Sequence, residues 1–172
     1  NQTWLPFFTL IVGSFVGLID DLLEIWRSSS IRIVPNGGLS FKKRLILVTI
    51  LGLIGAWWFY FKLGLSTIAI PFLGELAISW LIIPFFVAVM IILFSSSIID
   101  GLDGLAGGVM AIIFGAYAGI AFFQNQIDLA AFAAVVTGGI LAFLWFNIPP
   151  ARFYMSETGI LGLTTTLTVI AF

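Results

Sequence analysis

The 172-residue sequence contains no cysteine and no histidine. The first absence excludes disulfides and thiolate metal centres, and the second removes the usual neutral-pH base and the commonest zinc ligand. Charge is also scarce: 9% of residues are Asp, Glu, Lys or Arg, against about a quarter in soluble globular chains. Eight acidic and seven basic residues leave a formal net charge of −1, so no bulk attraction to nucleic acid is expected. The apolar–polar alternation of transmembrane barrel strands is missing too. Any chemistry must therefore run on carboxylates, hydroxyls and Lys or Arg.

What is present is apolar: 61% of residues are hydrophobic. That composition predicts an all-α, polytopic helical membrane protein. A helix needs about 20 apolar residues to cross a bilayer, and six stretches are candidates: Trp4–Ile19, Leu45–Lys62, Ile78–Ile98, Leu105–Phe123, Leu129–Ile148 and Gly159–Phe172. No repeat or linker separates them, so a single domain over residues 1–172 is expected. The run Gly64–Leu76, interrupted by Pro71 and Gly74, is too short to span and suits a small hairpin or re-entrant turn. The sequence begins and ends within apolar runs and reads as an internal piece of a longer protein.

Orientation follows from the basic residues. Five of the seven, Arg27, Arg32, Lys42, Lys43 and Arg44, lie between the first two spans and make that loop cytoplasmic. Counting spans onward puts six of the eight carboxylates, Asp20, Asp21, Glu24, Asp100, Asp103 and Glu157, on the same cytoplasmic face. Ionisable groups beside spans are costly and usually mark a site.

These acids fall in three blocks. In "GLIDDLLEIWR" the adjacent Asp20 and Asp21 repel one another and sit at a span end, where the helix dipole disfavours them; a divalent cation or a cationic partner would neutralise the pair. The alternative is a solvated helix end. In "IIDGLDGLAGG" Asp100 and Asp103 either share a helix face or flank a turn, and the glycines let a following helix begin with exposed amides suited to phosphate. Ordinary Asp-Gly turn chemistry is the alternative there. In "WFNIPPARFYMSETG" the two prolines end the fifth span and Asn147 offers an amide. Glu157 is either a metal ligand or a simple helix-end cap, and Tyr154 is most simply an interfacial aromatic. Oxygen ligands alone point to magnesium or manganese, and a few carboxylates with basic residues at a membrane surface point to phosphoryl or prenyl transfer between a lipid and a soluble partner.

The blocks "GLIDDLLEI", "NGGLSFKKRL", "IIDGLDGLAGG" and "FLWFNIPPARFYMSETGILGL" resemble, in order and spacing, those of the polyprenyl-phosphate N-acetylhexosamine-1-phosphate transferases. The likeness covers nearly the whole sequence and is greatest to the branch that handles phospho-MurNAc-pentapeptide. It implies a ten-helix, often dimeric enzyme of the bacterial cytoplasmic membrane with its site facing the cytoplasm. The implied reaction is magnesium-dependent transfer from UDP-MurNAc-pentapeptide to undecaprenyl phosphate, giving lipid I and UMP in peptidoglycan biosynthesis.

By this resemblance Asp20 matches the acid that deprotonates the lipid phosphate, and Asp21 its neighbour. Asp100 and Asp103 match the pair of the DGxDGL block, Asp100 near the metal and phosphates, and Gly101, Leu102 and Asp103 resemble a uridine pocket. Tyr154 matches a Phe that faces the uracil, Asn147 a family Asn, and Glu157 a magnesium ligand that is usually Asp. Two further departures stand out: Glu24 replaces a Lys, and Ser97 replaces an Asn beside the substrate. Three other readings stay open: a sister enzyme using UDP-GlcNAc or another amino sugar, an intramembrane prenyltransferase that reads "DDLLE" as a diphosphate site, and a non-enzymatic transporter. A transporter tends to carry its charges near the membrane midplane, and these lie at span ends.

Overall fold

A computed structural model describes residues 3–30, 41–62, 64, 67–70, 74–95 and 102–172. The apolar runs form six helices there: α1 (Trp4–Ser30), α2 (Phe41–Lys62), α3 (Ile82–Phe94), α4 (Leu105–Phe123), α5 (Ile127–Asn147) and α6 (Glu157–Ala171). Four of them contain stretches long and apolar enough to cross a bilayer: Trp4–Leu23, Lys42–Lys62, Leu105–Phe123 and Ile127–Asn147. The other two helices fall short of that length, with 13 residues in α3, less than its expected stretch, and 15 in α6. Large side chains such as Phe15, Ile112, Val135 and Trp145 are exposed along the long helices. Such surfaces suit lipid and not water, and the chain is a polytopic helical membrane protein.

The interruption before α3 is the expected hairpin. Strands β1 (Thr67–Ile70) and β2 (Gly74–Ala77) pair antiparallel, with Thr67 opposite Ala77 and Ile70 opposite Gly74. A 3-10 turn, Ser79–Leu81, then leads into α3.

The chain divides into two compact units, Leu39–Leu93 and the remainder, Asn1–Gly38 with Phe94–Phe172. In the smaller unit, α2 and α3 bury Val48, Ala56, Phe59, Ile82, Phe86 and Met90, and the Phe59 and Phe86 rings lie 5.2 Å apart. The larger unit carries the acidic blocks. Within it α1 packs along α6 and α4 along α5, with a smaller contact between α4 and α6.

Helix α6 is the most enclosed element of that unit, with Ile160–Gly162 and Thr164–Val169 buried. Its four buried threonines would be expensive in an apolar interior without partners. Each hydroxyl instead donates to a carbonyl one turn back: Thr164 to Ile160, Thr165 to Leu161, Thr166 to Gly162 and Thr168 to Thr164, at 2.6–2.8 Å. The helix thus satisfies its own polar groups.

Candidate active site

Helix α1 does not stop at its aspartates. It runs ten residues past Asp20 to Ser30, because Leu and Glu are good helix formers and nothing between Asp20 and Arg27 breaks the backbone. The expected conflict between Asp20–Asp21 and a helix C-terminus is therefore absent, since the carboxylates end the apolar stretch and not the helix.

What fixes them is a close crossing of α1 with α6. A Cβ at Gly13 would collide with the Thr165 hydroxyl and the Leu161 carbonyl, and one at Gly17 with the Glu157 carbonyl and Thr158 Cα. Contacts pairing 13 with 165 and 17 with 157 make the helices antiparallel. This G-x-x-x-G spacing is the small-residue pattern that lets membrane helices approach backbone to backbone. One turn beyond Gly17, Asp21 reaches the first turn of α6. Its Oδ2 accepts hydrogen bonds from the Thr158 amide at 3.1 Å and the Thr158 hydroxyl at 2.5 Å.

Ser156, the N-cap residue of α6, makes no side-chain capping bond. Asp21 supplies one from a different helix, with its charge at the positive end of the α6 dipole. Glu157 is the first helical residue, so its carboxylate lies at the same positive end of the dipole. Asp20 is buried, at 2% exposure, and one carboxylate oxygen each of Asp20 and Glu157 is shielded from solvent.

The second acidic corner is built on the segment joining α5 to α6. Asn147, the last residue of α5, is 1% exposed. Its Oδ1 accepts from the Gly104 amide at 3.0 Å and its Nδ2 donates to the Phe153 carbonyl at 2.9 Å. The Arg152 amide turns back to the Phe146 carbonyl at 2.9 Å, and the Phe153 ring stacks on Phe146. This folds the segment over the start of α4, where Asp103 receives it. The Tyr154 hydroxyl donates to Asp103 Oδ1 at 2.6 Å and the Ala151 amide to Oδ2 at 3.1 Å. These two bonds, the Tyr154 hydroxyl foremost, hold the Asp103 carboxyl below the usual carboxylate range and outweigh the opposing effect of burial.

Gly104 follows with φ of 78°, a left-handed turn that reverses the chain into α4. The expected seat for phosphate at this helix start is partly taken. The Gly104 amide is given to Asn147 and the Leu105 amide to the Leu102 carbonyl.

The larger unit thus brings Asp20, Asp21, Asp103, Asn147, Tyr154 and Glu157 to one end, all linked through residues 147–158. Leu102 is exposed there, as is Tyr154. Ser97, Asp100 and Gly101 lie outside the described residues, as does the side chain of Glu24. Among the described residues no group of three or more Asp, Glu, His or Cys assembles into a metal centre. Sequence reasoning missed Ala151, which holds Asp103 through its backbone amide, and Thr158, which holds Asp21 through its amide and its hydroxyl. It also passed over the G-x-x-x-G of α1, which was legible.

Residues 3–172 match the family described as glycosyl transferase family 4. The chain belongs to glycosyl transferase family 4. Among its curated relatives is a phospho-N-acetylmuramoyl-pentapeptide-transferase of Listeria innocua, 33% identical over 98% of this chain and 51% of the relative. Proteins of the same name from Latilactobacillus sakei and Clostridium beijerinckii are 34% and 32% identical over 95% of the chain and 49% of each relative. This family 4 chain therefore spans about half the length of the curated relatives it matches.

Proposed function

We propose that the protein containing this chain transfers phospho-MurNAc-pentapeptide from UDP-MurNAc-pentapeptide to undecaprenyl phosphate. The observation that carries the proposal is the convergence of two acidic corners on residues 147–158. One has an exposed aromatic beside an ionised carboxylate, and the other has buried carboxylates at a helix crossing. The names of the family 4 relatives support the transferred group, phospho-N-acetylmuramoyl-pentapeptide; UDP and undecaprenyl phosphate come from the motif resemblance.

In this reading Leu102, Asp103 and Tyr154, with Gly101, surround the uracil, while Asn147 holds the loop that carries Tyr154. Asp20 takes the proton of the lipid phosphate. An oxygen of that phosphate then attacks the sugar-bearing phosphorus of the donor. The bond from that phosphorus to the bridging oxygen breaks, UMP leaves, and the diphosphate of lipid I forms. Most of the catalytic work is positioning and charge stabilisation.

Magnesium belongs to the proposal through Glu157 and Asp100. Glu157 has one carboxylate oxygen shielded from solvent at the start of α6, and one or two carboxylates are the usual protein share of a magnesium shell beside phosphates. Bound there, the ion supplies neutralisation of phosphate oxygens. The excess of Lys and Arg around the junction of α1 and α2, at Arg27, Arg32, Lys42, Lys43 and Arg44, supports a cytoplasmic face for the site.

The test is UMP release by the full-length protein with magnesium, undecaprenyl phosphate and UDP-MurNAc-pentapeptide. No UMP from any UDP-sugar would sink the transferase reading. Release from UDP-GlcNAc alone would move the chain to the sister activity.

A further inference from the structure

We infer that Thr158 is a positioning residue, whose hydroxyl orients Asp21 and so sets the Asp20–Asp21 pair against Glu157. The inference rests on the transferase reading for its kinetic consequence and on the α1–α6 crossing for its geometry.

The crossing comes first. Because Gly17 lies against the Glu157 carbonyl and Thr158 Cα, the backbones of α1 and α6 touch one turn before Asp21. Asp21 then meets both donors of a single residue on a single oxygen, Oδ2. The amide alone would satisfy the helix end, and every residue except proline offers one. The hydroxyl adds a second charge-assisted bond from another direction, which fixes the plane of the carboxylate as well as its distance.

The covalent neighbours give this a consequence. Asp20 precedes Asp21, and Glu157 precedes Thr158. Holding Asp21 to Thr158 therefore holds the residue proposed to take the lipid-phosphate proton in register with the residue proposed for the metal. Thr158 acts through Asp21 and needs no contact with the reacting groups.

The experiment uses the full-length protein in lipid nanodiscs and two variants. Thr158→Ser keeps amide and hydroxyl, whereas Thr158→Val keeps the amide and the branched shape and loses only the hydroxyl. Thr158→Val is expected to lower kcat about tenfold to a hundredfold, the size expected from a misplaced catalytic group. The KM for UDP-sugar should stay within about twofold, because ground-state binding is not what is lost. Thr158→Ser is expected to retain wild-type kcat.

Wild-type kcat in Thr158→Val, or an equal loss in both variants, would overturn the inference. So would a loss in Thr158→Val matched by a fall in the folded fraction measured by thermal melting. Hydrogen exchange separates this failure from that of the function itself. If the wild type releases no UMP, the transferase reading fails, yet faster exchange in the first turn of α6 in Thr158→Val still upholds the clamp, and unchanged exchange overturns it.

Discussion

Asp103 and Asp21 each commit a carboxylate to the chain between α5 and α6, Asp103 from a turn and Asp21 from a helix crossing. The partners of Asp103 are an exposed tyrosine hydroxyl and a loop amide. Those of Asp21 are both donors of one residue in the first turn of α6, beside glycines that admit no side chain. The first set can be exchanged for donors on a ligand by moving one side chain. The second cannot open unless two helices separate. In the proposed reaction the uridine end is therefore the adaptable one, and the end that handles phosphates is rigid.

Breaking the rigid end should produce the largest change. Gly17→Ala puts a methyl group into the backbone of α6, where neither partner can yield by rotating a side chain. A cost of about 3 kcal/mol is expected, as for overpacking generally, seen as a lower thermal midpoint of the full-length protein together with loss of turnover. Gly138→Ala is the control: a Cβ there meets nothing within 4 Å. It should be neutral or gain about 0.5–1 kcal/mol from helix propensity. Equal effects at the two positions would mean that the crossing is not tight.

Next come the two acids. Asp20→Asn should reduce UMP release roughly a thousandfold, in the range of a lost general base, with an unchanged circular dichroism spectrum. Asp103→Asn should match it in rate but differ in structure, because the amide has one accepting oxygen where the carboxylate offers Oδ1 to Tyr154 and Oδ2 to Ala151. Faster hydrogen exchange at the Ala151 amide would report that difference. Wild-type rates in both variants would remove the site altogether. Asn147→Ala should cost about 2 kcal/mol, the penalty for stranding buried partners, by releasing the Gly104 amide and the Phe153 carbonyl. Exchange should quicken across 150–154 and stay slow at Thr158.

How much of this the sequence disclosed depends on what kind of atom does the holding. Side chains announce themselves: Asp103 and Asn147 stood out by residue type, and parity counting brought the acidic blocks to one end. The hairpin after α2 was equally legible from Pro71 and Gly74. Backbone donors leave no such trace, which is why Ala151 went unseen, whereas the Thr158 hydroxyl is a side-chain donor whose partner lies 137 positions away on another helix. The end of α1 was misplaced for a different reason. A charge pair stops the contact with lipid, but only glycine, proline or a competing cap stops the helix, and "DDLLEIWR" has none of these. Tyr154 was legible as an interfacial aromatic, and the structure adds that its hydroxyl engages an aspartate 51 positions away.

That hydroxyl offers the mildest test of the comparison. Removing it in Tyr154→Phe leaves Ala151 as the donor to Asp103, so the Asp103 pKa should move back up toward the ordinary carboxylate range. Because the folded pKa lies below the unfolded one, the ionised carboxylate favours the closed loop above the unfolded pKa. That contribution is lost as pH falls through the folded pKa. At neutral pH Asp103 is ionised in wild type and variant alike, and protection of the Ala151 amide should fall only slightly. On acidification the variant should lose that protection at a higher pH than the wild type, while the Thr158 amide should not respond to the substitution. A common acid midpoint for wild type and variant would mean that the tyrosine hydroxyl does not hold Asp103. A shift at Thr158 as large as that at Ala151 would mean that the two corners open together and are not separately held.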